Sequence, residues 1–349
     1  MPFQSPAVDV PPQPWTGRYD GDGPAHRRWW QAVNRALEPG PSDAEGGQGA
    51  GHPVASGRKP VALLGFASDE GVRRNKGRKP VALLGFASDE GVRRNKGRTG
   101  AAAAPAALRT ALGPLAFHLD RTVSDCGDVV VSGDRLEAGQ ERLGHALAAL
   151  LDAGHQTVVL GGGHETAYAS YLGVSASAAV RSGQRLGVLN LDAHFDLRDE
   201  AVPSSGTPFL QMARAETDAG RDFRYAVVGI SEPNNTRALF DTAGKLGVRY
   251  LLDEDCGAER VQAFVADFLA ETDILYLTID LDVLPASVAP GVSAPAAYGV
   301  PLPVITAVCR QVAASGKLLH LDVAELNPAF DIDGRTARTA ARLVDTLLR

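Results

Sequence analysis

Cysteine is scarce in this chain: 349 residues contain three, Cys126, Cys256 and Cys309. They lie far apart, form no CxxC pair and leave an odd count. That excludes a disulfide framework and a zinc knuckle, and predicts a reduced, cytoplasmic compartment. Positive charge is not in excess either. The 35 Lys+Arg face 41 Asp+Glu, for a formal net charge of -6. A general nucleic-acid binder needs a basic face to displace counterions, so nucleic acid is not an expected partner. No apolar run approaches the roughly 20 residues that span a bilayer, so no membrane partner is expected. The stretch MPFQSPAVDVPPQP has neither a basic nor an apolar segment of signal-peptide type. What is present is ordinary for a globular chain, 44% hydrophobic and 22% charged, with ample apolar material for a core.

Residues 1–56 read as an N-terminal arm followed by a flexible linker. The run EPGPSDAEGGQGAGHPVASG, rich in Gly, Pro, Ser and Ala, buries too little apolar surface to offset its ordering entropy. Trp15, Trp29 and Trp30 are expected to dock the arm on the body. Residues 57–76, GRKPVALLGFASDEGVRRNK, recur letter for letter at 77–96. Two copies cannot form a solenoid, which needs three or more units. The second copy runs directly into GRTGAAAAPAALRTAL, so 77–349 reads as the catalytic domain and 57–76 as a dispensable insertion or artefact.

From there, short apolar strands alternate with amphipathic helices. VALLGF, TVVLGG, RLGVLNLDAHFD, YAVVGI, VRYLL, DILYLTIDLD and KLLHLDVAEL read as strands. Helices are expected at 137–153, 235–246, 261–271 and 304–314. The C-terminal segment places Ala337, Ala340, Ala341, Val344, Leu347 and Leu348 on one helical face. Near-continuous apolar strands alternating with helices predict an α/β fold with a mainly parallel sheet covered on both faces.

Four strands end in acidic or imidazole side chains: TVVLGGGHE, GVLNLDAHFDLR, LYLTIDLDVLP and LLHLDVAELNP. Ligands of open parallel sheets bind beyond the carboxyl ends of the strands, so these clusters share one edge. Asp192, His194 and Asp196 alternate, as do Asp280 and Asp282, and point to one face while the chain stays extended. Carboxylates crowded in this way need a cation to neutralise them. The donors exceed what one ion requires. Hard oxygens with imidazole and no thiolate favour Mn²⁺ over structural Zn²⁺, and a set of this size suggests two ions. Among the remaining candidates, His320 reads as a satisfied core histidine. Glu165 reads as a helix cap, and Asp322 as a supporting or structural acid.

The motifs GGGHE, DAHFDLR, DLDVLPASVAPGVSAP and DVAELNP, in this order, resemble the ureohydrolase family of arginases, agmatinases and their relatives. The resemblance covers roughly Val81 to the end of the chain. It implies an arginase-like three-layer α/β/α sandwich, two Mn²⁺ per subunit, a small-molecule substrate and a homo-oligomer. Carried over, the metal ligands are His164, Asp192, His194, Asp196, Asp280 and Asp282, with Asp192 and Asp280 bridging. Glu325 matches the glutamate that pairs with the cationic head of the substrate.

Departures within the motifs narrow the branch. Ser205 stands where arginases carry a histidine before Gly-x-Pro, and Arg198 stands where they carry an asparagine. Together with GFASDEGVRRNKGRTGA and PWTGRYD, these resemble the branch that hydrolyses N-formimidoyl-L-glutamate to L-glutamate and formamide in histidine degradation. Such a substrate has an amidine head and two carboxylates. Arg198 suits a carboxylate bidentately, and Arg93, Arg94, Asn95, Lys96 and Arg98 are further candidates beside it. The catalytic assignments implied are Asp196 as proton carrier and Glu325 as amidine anchor, with a hydroxide shared by the metals as nucleophile. Water or Ser205 is left to relay protons. A ureohydrolase for another guanidino acid, such as guanidinobutyrate or agmatine, and a non-catalytic relative are the alternatives.

Overall fold

The computed structural model describes residues 6–35 and 78–349. The flexible run expected at 38–57 and the first copy of the repeat at 57–76 lie outside the described residues. In chain order the elements are α1 (Trp29–Ala32), β1 (Asn34–Arg35), β2 (Val81–Ala87), α2 (Glu90–Arg94), α3 (Ala104–Leu112), β3 (Val123–Val130), α4 (Leu136–Asp152) and β4 (Gln156–Leu160). They continue with α5 (Thr166–Ser175), α6 (Ala178–Arg181), β5 (Leu186–Leu191), α7 (Pro208–Asp218), β6 (Arg224–Ile230), α8 (Arg237–Lys245) and β7 (Arg249–Leu252). The last are α9 (Ala258–Ala270), β8 (Ile274–Asp280), α10 (Leu302–Ser315), β9 (Leu318–Ala324) and α11 (Arg335–Leu348).

The strands form one nine-stranded sheet in the order β1-β3-β2-β4-β9-β8-β5-β6-β7. Its strand pairs are parallel. Alternate residues of each strand feed different cores. Val81 and Leu83 of β2, with Leu275, Leu277 and Ile279 of β8, pack under α3, α9, α10 and α11. Ala82, Leu84 and Phe86 pack under α4, and Val188 and Tyr276 under α5 and α7. Both faces are therefore covered, which is why these strands read as unbroken apolar runs. The architecture is the expected three-layer α/β/α sandwich.

The described part of the arm lies on this body. Trp29 is fully buried, stacks on Trp15 and donates its Nε1–H to Asp345 at 3.1 Å. Trp15 donates to Asp125 at 2.7 Å. Trp30 donates to the Arg18 carbonyl within the arm. Beyond α1 the chain adds β1 to the edge of the sheet beside β3.

The order of the strands places the site. β5 leads to β6 on one side of the sheet, whereas β8 leads to β9 on the other. The loops leaving β5 and β8 diverge, and a crevice opens at their carboxyl ends. The neighbouring strands β4, β9, β8 and β5 deliver His164, Glu325, Asp280 and Asp192 to it.

Candidate metal centre

The chain must make a close turn to bring His164 forward from β4. A Cβ at Gly162 would lie 1.8 Å from the Ser88 carbonyl oxygen, so only glycine lets this turn cross the exit of β2. Buried His164 then directs Nδ1 at three carboxylates: Asp196 at 2.9 Å, Asp192 at 3.2 Å and Asp280 at 3.2 Å. Its Nε2 meets the Thr278 hydroxyl at 3.0 Å, which fixes the ring from behind.

The expected grouping is present, but the pleat does not produce it. β5 stops at Leu191 and β8 at Asp280. Asp192, His194 and Asp196 lie in a turn, and Asp282 lies in a 3₁₀ turn. Side chain-to-backbone bonds shape both turns. The His194 N–H donates to Asp192 at 2.6 Å, and the Asp282 N–H donates to Asp280 at 2.8 Å. Asp196 sits at φ 47°, a left-handed conformation that turns its carboxylate back toward His164. His194 Nδ1 lies 3.0 Å from Asp282.

Two donor sets result, His164–Asp192–Asp280 and Asp192–His194–Asp282, with the ligand atoms of each set within 4.8 Å of one another. Asp192 belongs to both, whereas Asp280 falls in only one. Asp196 adds a further oxygen beside His164. Burial works against charge on His164, but hydrogen bonds to Asp192 and Asp196 and the charge of Asp280 outweigh it and hold the imidazole well above its ordinary pKa. His194 is raised in the same way, against burial, by Asp282 and Asp192. Burial, then Asp282 and Asp192, pushes Asp280 well up. The carboxylates thus draw protons onto both imidazoles. Divalent cations would satisfy the same donors by displacing those protons, and the mixed oxygen and imidazole chemistry fits a hard ion such as Mn²⁺.

Glu325 overlooks this floor from the end of β9, at φ 67°. Its Oε1 accepts the His164 N–H at 2.8 Å, while Oε2 is buried without a partner. Burial first, then the charge of Glu165, pushes Glu325 up to about 8. Glu165 does not cap α5 as expected from sequence. It accepts instead from the Ser88 hydroxyl at 2.7 Å and the Gly91 N–H at 3.0 Å, tying down the loop after β2. His320 bonds Thr157 at 2.7 Å, and Asp322 accepts from Tyr276, so both are held in the core.

A cleft of about 290 Å³ opens above the donor sets. Arg198, Ser205 and Asn95 line it, with Asn95 donating to Ser205 at 3.1 Å. Arg198 is exposed, and its side chain lies over Gly206, where a Cβ would come within 2.7 Å. Arg94 is not brought to this cleft. Its guanidinium is spent on Glu90, Glu137 and the carbonyls of Pro203 and Asp134, clamping α2 to α4 and to the loop before α7. Arg93 pairs with Glu90. Arg98 donates to the Ser293 carbonyl at 2.9 Å and lies 4.1 Å over the Phe330 ring.

Lys96, also on the cleft, closes α2. The Gly97 N–H bonds to the Val92 carbonyl at 2.8 Å and the Lys96 N–H to the Arg93 carbonyl at 3.1 Å. This is a Schellman closure with Lys96 in the left-handed position, φ 61°. A side chain there costs about 1 kcal/mol relative to glycine.

One supporting residue went unread in the sequence. Asn235, in the loop after β6, accepts the Phe195 N–H at 3.1 Å and donates to the carbonyls of Ala193 and Ser231 at 2.9 and 2.8 Å. It staples the turn that carries Asp192, His194 and Asp196. The available signal was an Asn–Asn pair following an apolar strand at the same sheet edge.

Comparison with known proteins places this geometry. The chain is 55% identical to formimidoylglutamase of Nocardia farcinica, over 96% of this chain and 95% of that protein. It is 52% identical to formimidoylglutamase of Rhodococcus opacus, over 97% and 96%. A variant of Trypanosoma cruzi formiminoglutamase solved with Mn²⁺ superposes with a TM-score of 0.69 at 25% identity, covering 77% of this chain and 92% of that one. Arginase from Bacillus subtilis shares the fold, with a TM-score of 0.66 at 23% identity over 77% and 98%. Residues 79–349 match the Arginase family model, and the chain belongs to that family.

Proposed function

We propose that the chain hydrolyses N-formimidoyl-L-glutamate to L-glutamate and formamide with two Mn²⁺ per subunit. The observation that carries this reading is one cleft holding two donor sets that share Asp192, a buried carboxylate, Glu325, and an exposed guanidinium, Arg198. His164, Asp192, Asp196 and Asp280 would hold one ion, and Asp192, His194 and Asp282 the other. Bound there, the ions supply Lewis acidity and lower the pKa of nearby water.

The chain's own residues do the rest. Glu325 keeps Oε2 free while Oε1 is fixed by the His164 N–H, so it presents one directed acceptor to an amidinium N–H. A cation paired there favours the ionised carboxylate, against the burial that raises it. Arg198 offers a planar fork to one substrate carboxylate, and Asn95 and Ser205 line the same cleft. The bond broken joins the formimidoyl carbon to the glutamate nitrogen. Water adds its oxygen to the carbon, and the departing nitrogen takes a proton. Asp196, raised by burial and by the charge of Asp192, would carry that proton on its carboxylate.

The reaction belongs to histidine degradation. Three unpaired, buried cysteines support a reducing, cytoplasmic setting. Turnover by the Mn²⁺-loaded chain, compared across N-formimidoyl-L-glutamate, guanidinobutyrate and agmatine, tests the reading. Formamide release from the first is expected. Urea release from either of the others at a higher kcat/KM would replace it with a guanidino-acid or agmatine hydrolase. Two bound metals with no turnover of any would mark a non-catalytic relative.

A further inference from the structure

We infer that Lys96 is the second carboxylate-binding group of the cleft and sets its preference for a dicarboxylate over a monocarboxylate. The inference rests on the proposed reaction. It begins with a residue out of place. A Schellman closure favours glycine in its left-handed position, yet Lys96 occupies it at φ 61°. Gly97 is adjacent and is needed where it stands, because a Cβ there would lie 2.6 Å from Ser293 Oγ. The closure therefore carries a strained lysine for something other than the turn.

The neighbouring cations are committed elsewhere. Arg93 and Arg94 pair with Glu90, and Arg94 also with Glu137. Arg98 is held by the carbonyls of Ser293 and Val292 and by the face of Phe330. Among the described residues of this loop, Lys96 alone is a cation on the cleft wall with no bonded partner.

The substrate of the proposed reaction calls for such a group. The cations would take up Asp192, Asp196, Asp280 and Asp282, and Glu325 the amidinium, which leaves both carboxylates of the tail to be paired by other residues of the cleft. Arg198 can neutralise one carboxylate. Lys96, a flexible ammonium with three donors, suits a second carboxylate on a short aliphatic arm.

The test is steady-state kinetics of the Mn²⁺-loaded wild type, Lys96→Met and Lys96→Gly. Substrates are N-formimidoyl-L-glutamate, its side-chain amide N-formimidoyl-L-glutamine, and N-formimidoyl-4-aminobutyrate, which lacks the α-carboxylate. Lys96→Met should raise KM for the diacid by roughly tenfold to a hundredfold with kcat within about twofold. The penalty should vanish on whichever analogue lacks the carboxylate that Lys96 meets. Lys96→Gly should carry the same KM penalty while melting at or above the wild-type temperature, because glycine relieves the left-handed strain. A purely structural lysine would not separate stability from KM in that way. An equal penalty on all three substrates, a fall in kcat at constant KM, or an active wild type with unaffected variants would overturn the role of Lys96 alone. A wild type inert toward the diacid would overturn the proposed reaction and this inference together.

Discussion

Replacing Asn235 by alanine should separate the work of the staple from that of the metal donors. Three bonds go, but they are not equal. The Ala193 carbonyl keeps the Ser231 N–H at 2.9 Å, and the Ser231 carbonyl keeps the Asn234 N–H at 3.1 Å. The buried Phe195 N–H, whose bond is to Asn235 at 3.1 Å, is left alone. One orphaned donor at about 1–3 kcal/mol, plus two weakened acceptors, gives a loss of about 3 kcal/mol. Urea unfolding of the metal-free protein should show it as a lower midpoint at unchanged slope. The turn carrying Asp192, His194 and Asp196 then fluctuates, and Mn²⁺ affinity by calorimetric titration should fall by about 10–100-fold. A variant that loses stability yet binds Mn²⁺ with wild-type affinity would refute the positioning argument and leave Asn235 a purely structural residue.

Other expectations follow from the same geometry. Asp192→Ala should take manganese content from about two ions to about none, and Asp282→Ala from about two to about one, because only Asp192 belongs to both donor sets; metal analysis of dialysed protein reads this directly. Arg198→Ala should raise KM for N-formimidoyl-L-glutamate roughly tenfold or more with kcat little changed, and equal losses in kcat and kcat/KM would remove it from substrate binding. Deleting residues 57–76 should leave activity intact and stability little changed, since the second copy already supplies β2 and α2. A deletion that failed to fold would make the first copy part of the domain.

The strands legible in the sequence are those buried on both faces, such as RLGVLNL and DILYLTID, where nothing polar interrupts the run. β3 was not legible. Its sequence VSDCGDVV carries Asp125 and Asp128, which are tolerated because Arg109 from α3 pairs with both. α5 was missed for the opposite reason. TAYASYLGVS shows no polar stripe, since α5 is covered by the sheet on one side and α4 on another. The expected donor side chains are brought together, but partly by another route than the one expected. Strand alternation does not hold beyond Leu191, and the turn bonds of Asp192 and Asp280 gather the same side chains. Arg94 and Lys96 show the limit of composition. Both are basic residues of one loop, and only the fold tells the spent guanidinium from the free ammonium.

The most direct test of the account is the fate of the nitrogen. N-formimidoyl-L-glutamate is given to the Mn²⁺-loaded chain, and glutamate, formamide, ammonia and N-formylglutamate are each quantified. Equal amounts of glutamate and formamide are predicted, because the bond to the glutamate nitrogen breaks. Ammonia with N-formylglutamate would mean that the terminal nitrogen leaves instead, and would contradict the placing of the amidine against Glu325.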